Sequence, residues 1–143
     1  GVIPQVLSTY ELKAWKDIAL SDEGKAFSGT VTYSTSISIT RKKRGYRYFL
    51  DLGRVESIAK IRINGKEAGT LWTFPYRTDI SKYLKNGKNQ LEVEITNTWF
   101  NRLVFDANQP ESLRKTWTIN APHMNSPLRE SGLLGPVCIH IVE

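Results

Sequence analysis

Between Ser57 and Arg102 lie strand-like runs in which apolar side chains recur at every second position, and that period constrains the fold of this chain more than any other feature. Ala59, Ile61 and Ile63 alternate with Lys60, Arg62 and Asn64. A period of two turns one row of side chains into a core and the other toward water, so this is a half-buried strand. Asn64-Gly65 follows, a pair that tolerates positive φ in a two-residue turn, and Lys66–Trp72 is expected to fold straight back as a hairpin. A second turn, Lys85-Asn86-Gly87-Lys88-Asn89, precedes Leu91, Val93 and Ile95, which alternate with Gln90, Glu92, Glu94 and Thr96.

The same alternation extends to both sides. Val31, Tyr33, Ile37 and Ile39 share one parity against Thr30, Thr32, Ser34, Ser36 and Ser38, which predicts a long antiparallel strand. Tyr46–Leu52 gives another strand, and Val137, Ile139 and Ile141 alternate with Cys138, His140 and Val142 in the last one. Gly1–Gly24 is irregular: Tyr10–Trp15 suits a short helix or an edge strand, and Ser21-Asp22-Glu23-Gly24 reads as a turn. Short strands separated by turn residues, with hardly any helical period, predict an all-β fold, an antiparallel sandwich burying two facing apolar rows. Pattern alone does not separate a jelly roll from an immunoglobulin-like topology. A length of 143 residues suits one domain over 1–143, irregular over 1–26 and sandwich over 27–143. Asn108–Pro127, with three prolines and no clean period, is long for a connection and is expected to be a functional loop or a docking surface.

Composition narrows the function classes. The single Cys138 excludes an internal disulfide, and its apolar strand context predicts a buried, inert thiol. No apolar run approaches the length needed to cross a bilayer, so no membrane insertion is expected. A net charge of +6 invites a nucleic-acid reading, but Arg41-Lys42-Lys43-Arg44 lies between two strand patterns as a solvated loop would, and Glu92 and Glu94 would repel a phosphate backbone. No nucleic-acid partner is expected. A glycosidase needs two carboxylates flanking the scissile bond, and Asp51, Asp79 and Asp106 each read more simply as turn or strand-end residues. His123 and His140 are isolated and the carboxylates lack calcium-loop spacing, so no metal and no cofactor are expected. Ser131 lacks a nucleophile-elbow context, and no phosphate-cradling glycine loop is present.

The string RINGKEAGTLWTFPYRTDISKYLKNGKNQLEVEITNTWFNRL resembles the sugar-binding jelly-roll domain of glycoside hydrolase family 2 and of rhamnosidase-type enzymes (family 106), and GLLGPV resembles that module's closing strand. The similarity runs from Phe27 to Val142. It implies a galactose-binding-like jelly roll that is a noncatalytic accessory part of a longer polysaccharide-degrading enzyme, with the catalytic residues and a catalytic-domain partner elsewhere in the parent. It also implies a periplasmic or secreted setting. No charged-then-apolar leader opens the sequence, as expected of a fragment.

Carbohydrate recognition calls for flat aromatic faces against sugar rings and planar polar groups for the hydroxyls. Two segments supply both: Trp72, Tyr76 and Arg77 in WTFPYRTD, and Trp99, Asn101 and Arg102 in NTWFNR. If the intervening strand brings them to one end of the sandwich, they line a shallow glycan site, with Trp117 as a further exposed aromatic. The alternatives are structural: Trp72 and Tyr76 packed under a loop, an Arg beside an Asp, as in Arg77-Thr78-Asp79, as a brace, and a domain that buttresses a catalytic partner through 108–127 without binding sugar; Asn101 and Arg102, polar groups next to an aromatic, have no obvious core role.

Overall fold

A computed structural model describes residues 6–19 and 21–143; residues 1–5 and 20, part of the stretch expected to be irregular, lie outside the described ones. The chain is an all-β antiparallel sandwich, as the alternation predicts. Two one-turn helices, α1 (Trp15–Ile18) and α2 (Asp22–Lys25), precede β1 (Thr30–Ile39), β2 (Arg47–Asp51), β3 (Arg54–Glu56), β4 (Ile58–Ile63), β5 (Lys66–Leu71), β6 (Arg77–Asp79) and β7 (Gly87–Thr96). Helix α3 (Phe100–Ala107) and the strands β8 (Gly132–Gly135) and β9 (Cys138–Val142) complete the order. One sheet runs β1-β7-β4-β5, the other β6-β2-β9, and β3 and β8 form a two-stranded ribbon.

The core follows the parity of the sequence. Ala59, Ile61 and Ile63 of β4 and Leu91, Val93 and Ile95 of β7 are all buried, with Tyr48 and Leu50 of β2 and Leu52, just after it, in the same cluster. Their partners in the alternation face out, and Arg62 of β4 pairs with Glu94 of β7 at 3.0 Å. The β4–β5 hairpin closes on Asn64 and Gly65 at φ of +52° and +78°, the left-handed pair that a two-residue turn requires. A Cβ on Gly53, which holds φ of +64°, would stand 2.5 Å from the carbonyl carbon of Gly135, so only glycine fits at this close backbone approach.

Strand register sorts the loops into two ends. At one end Thr96 of β7 lies opposite Thr30 of β1 and Ile58 of β4, and Ala59 opposite Leu71 of β5. At the other, Ile39 lies opposite Gly87, and Ile63 opposite both Leu91 and Lys66. Buried Asn89 braces this second end: its side chain accepts from Asn64 Nδ2 and the Lys85 amide, each at 2.9 Å, and donates to the Lys85 and Gly87 carbonyls at 2.8 and 3.0 Å.

Three expectations are corrected. Cys138 is exposed, because it shares the outward parity of β9 with His140, whose Nε2 is 3.3 Å from the thiol sulfur. Ser21–Gly24 is not a plain turn: Ser21 caps α2, its Oγ accepting from the Gly24 amide at 3.1 Å. And the chain has an eight-residue helix, α3, where hardly any helical period was legible. We expect Ile61→Ala to lower the unfolding free energy by about 2–5 kcal/mol, measured by urea denaturation, because Ile61 is fully buried between the sheets.

Candidate functional site

The first end of the sandwich collects the candidate residues, because β5 runs out into Trp72 and β7 into Trp99 with only β4 between them. Adjacent strands are ~4.8 Å apart, so the two exits lie on the order of 10 Å from each other. Both indoles are free of the core, Trp72 at 69% and Trp99 at 63% exposure, and Ile58 at the start of β4 is exposed too. Phe74, 80% exposed, stands with Trp72 over an open groove of about 540 Å³ that Arg54, Glu56 and Thr73 also line. Tyr76 reaches the same groove half-buried, but its hydroxyl is engaged, donating to the Ser57 carbonyl at 2.7 Å. Arg77 turns to the other sheet, its guanidinium 4.6 Å from the Phe49 ring centre.

Asn101 and Arg102 do not share that surface. Asn101 is 3% exposed, and its amide clamps the Arg129 backbone, donating to its carbonyl at 2.7 Å and accepting from its N–H at 2.8 Å. Arg102 reaches across α3 to Asp106, Nη2 to Oδ1 at 2.7 Å, and its Nη1 donates to Glu23 at 2.9 Å. Asp106, itself buried, takes further hydrogen bonds from the Lys115 amide at 3.1 Å and from the Thr116 amide and hydroxyl at 2.7 Å each. Glu23 also receives Lys115 Nζ at 2.7 Å. These contacts fasten the start of the 108–127 segment to α3 and α2. Burial alone would push the Asp106 carboxyl up, but the hydrogen bonds from Arg102 and Thr116 and the charge of Arg102 hold it below the ordinary carboxylate range. Arg102 is correspondingly raised, chiefly by its hydrogen bond to Asp106.

Beyond that latch the 108–127 segment presents apolar side chains to water: Trp117 at 80%, with Leu113, Ile119 and Met124 also exposed. Of the seven residues singled out from sequence, Trp72, Trp99 and Trp117 thus offer free faces. Tyr76, Arg77, Asn101 and Arg102 make internal contacts through their polar groups or over an aromatic ring. Sequence reasoning passed over Phe74, although it lies two residues from Trp72 in the aromatic run, and Ile119, whose place in an aperiodic loop carried no signal.

A family model described as glycosyl hydrolase 2 galactose-binding domain-like matches residues 16–131, more than half of the chain. A protein of Formosa agariphila assigned as a beta-glucuronidase is 36% identical over 92% of this chain and 14% of its own length. Among solved structures, a rhamnosidase from Novosphingobium sp. PP1Y superposes with a TM-score of 0.85 at 39% identity, over 99% of this chain and 13% of that one. A beta-glucuronidase from an uncultured Clostridium sp. gives a TM-score of 0.52 at 27% identity over 59% of this chain and 15% of its own. The chain thus spans about one seventh of the length of these relatives.

The latch makes a pH prediction. A carboxylate whose folded pKa lies below its unfolded value contributes stability that is complete above the unfolded value, about 3.9, and is lost as pH falls through the folded one. Trypsin cannot be used in that acid range, so 108–127 should be probed by pepsin: cleavage there should accelerate as pH drops below about 4. Asp106→Ala should release the backbone at 115 and 116, so that trypsin cuts after the exposed Arg114 and Lys115 already at neutral pH, and lower the unfolding free energy by about 3–5 kcal/mol. Unchanged trypsin resistance in Asp106→Ala would show that the segment is held by other contacts.

Proposed function

Because the chain belongs to the glycosyl hydrolase 2 galactose-binding domain-like family, we propose that it is a noncatalytic accessory domain of a glycoside hydrolase that docks on the catalytic part of its parent chain through segment 108–127. The observation that carries this reading is the pairing of a rigidly latched loop base with exposed Trp117, Ile119, Leu113 and Met124. Mobile loops shed apolar side chains from their tips, whereas an anchored segment displaying a large indole and three aliphatic or thioether chains is built to meet another surface. The relatives, about seven times longer than this chain, contain ample protein to supply that surface.

The carboxylates agree with a noncatalytic role. A glycosidase acid must stay protonated near neutral pH, which requires a raised pKa. Hydrogen bonds from the Ser81 hydroxyl and amide, with Arg47 beside it, hold Asp79 down at about 2, and Asp106 is also lowered. Asp51 accepts from the Gly53 amide at 2.9 Å, a strand-end role.

A second reading, glycan contact at the other aromatic group, is favoured by the composition of the Trp72–Phe74 groove, where Arg54 and Glu56 stand beside two exposed rings. Each sugar hydroxyl replaces a good hydrogen bond to water, so the net gain is about 0.5–1.5 kcal/mol per bond, and the rings must supply much of the rest.

Paired substitutions separate the two. In the 143-residue chain Trp117→Asp with Ile119→Asp should leave the melting temperature nearly unchanged, since exposed sites away from special contacts shift stability by only about 0.5 kcal/mol. In the full-length parent the same pair should lower the melting temperature and loosen this domain in hydrogen exchange. An unaltered parent would refute docking through this segment. Trp72→Ala should weaken glycan binding in calorimetric titration without changing the melt. A well-folded wild-type chain that binds no glycan across an array would leave docking as the function of the domain.

A further inference from the structure

The second end of the sandwich carries a different chemistry. Loop residues 40–46 hold Arg41, Lys42, Lys43 and Arg44, and residues 80–90 hold Lys82, Lys85 and Lys88, with no carboxylate in either stretch. These seven cations account for the entire excess of the chain: the other 13 of its 20 Lys and Arg face 14 carboxylates, against a net charge of +6 overall. Among the described residues none of the seven forms an ion pair. The carboxylates that strand register carries toward this end include Glu143, one step beyond the Arg47–Val142 pair, and Asp79 at the end of β6, which is already engaged by Arg47 and by the amide and hydroxyl of Ser81.

The two stretches are joined into one surface. The Lys42 amide donates to Asn86 Oδ1 at 2.6 Å, Lys42 Nζ donates to the Leu84 carbonyl at 3.1 Å and to that of Ser81, and the Lys43 amide donates to the Tyr48 hydroxyl at 3.0 Å. Between them lies an open groove of about 520 Å³, lined by Lys43, Arg44, Tyr46, Lys82 and Lys85 among others. Asn89 fixes the turn beneath it. Five like charges lining one groove repel each other, and apart from Lys42, whose ammonium is bound to the Ser81 and Leu84 carbonyls, the contacts that join the two stretches do not offset that repulsion. Cations gathered in one groove without a carboxylate paired to any of them are arranged for an anion.

We propose that this groove binds a polyanionic polysaccharide, a glycan carrying repeated carboxylate or sulfate groups, at a site distinct from the exposed aromatics of the opposite end. The choice of a polysaccharide rests on the accessory-domain reading, and the side chains support it independently. Tyr48 at this end is buried, and the two half-buried rings, Tyr46 and Tyr83, each have a lysine ammonium, Lys43 and Lys82, 5.0 Å from the ring centre. Each ring is half-buried with a cation over one face, which makes it a poor stacking platform of the kind single-stranded nucleic acid depends on. Anionic groups spaced along a stiff glycan need only the charges.

Affinity electrophoresis of the 143-residue chain in gels containing dextran, dextran sulfate or polygalacturonate tests the site, since the first two differ only in charge. Dextran sulfate, polygalacturonate or both should retard the chain, with dextran inert and retardation falling as salt rises. Retardation by one polyanion alone assigns sulfate or carboxylate as the recognised group. Lys82→Glu with Lys85→Glu, both exposed, should weaken binding by about tenfold or more without altering the melt, whereas the charge-matched pair Lys13→Glu and Lys25→Glu, far from the groove in sequence and exposed, should leave it nearly intact. No retardation by either polyanion, or equal losses in the two double variants, would overturn the proposal. So would tighter binding of duplex DNA than of dextran sulfate, which would make the groove a nucleic-acid surface. None of these results bears on the Trp117 and Ile119 experiment, so the groove and the docking reading fail separately.

Discussion

Burial of the aliphatic row of β4 and β7 against β2 is the interaction on which everything else in this chain depends. Ala59, Ile61, Ile63, Leu91, Val93 and Ile95 are contributed by strands that pair directly, so their side chains form a continuous apolar surface whose removal from water drives the two sheets together. Once β4 and β7 are locked in register, the destination of every connecting loop is decided. A slip of one residue would turn the whole row outward, and no such slip is compatible with a buried core. In this sheet the register shifts between Ile61 and Arg62 opposite Gly69 and Glu67, an irregularity absorbed in the edge pairing with β5 that leaves the central pairing intact.

That register gives the molecule two unlike poles. One presents indoles and a phenyl ring beside Arg54 and Glu56, and the other concentrates the positive charge. The segment that joins α3 to β8 adds a third, apolar surface, held by a buried carboxylate that gathers a guanidinium, two backbone amides and a hydroxyl. An ion pair of this kind contributes less to net stability than its contacts suggest, because both charges have lost water. Its value is positional: Asp106 cannot be satisfied unless Lys115 and Thr116 stand where they do.

The sandwich was legible because parity is a local signal. Each strand declares its buried face in its own sequence, and Asn64-Gly65 fixes the hairpin through backbone geometry alone. Helix α3 was not legible for the converse reason: it has no side-chain cap at its start and holds to the fold through Asn101 with Arg129 and Arg102 with Glu23, contacts whose partners are distant in the chain. The same non-locality governs the candidate site. An exposed Trp and a core Trp look alike in a sequence, as do a ligand-binding Asn and one that clamps a backbone. Trp15, fully packed, and Trp99, at a strand exit, are separated by tertiary structure rather than by their neighbours. Cys138 illustrates a subtler failure, since its outward parity was readable but the apolar character of its neighbours outweighed it.

Asn89 contacts no solvent, yet it governs how the basic pole can change over evolutionary time. Its amide satisfies the backbone of the 85–87 turn and meets Asn64 from the adjoining hairpin, so the path of the chain there does not rely on which side chains project from it. Lys82, Lys85 and Lys88 sit on a frame that a neighbouring residue keeps rigid, and exchanging them costs little folding energy. Descendants of such a chain can invert, dilute or sharpen the charge of that pole one substitution at a time while the scaffold stays the same. Selection on the ligand is thereby uncoupled from selection on the fold, with a single buried amide as the point where the two would meet.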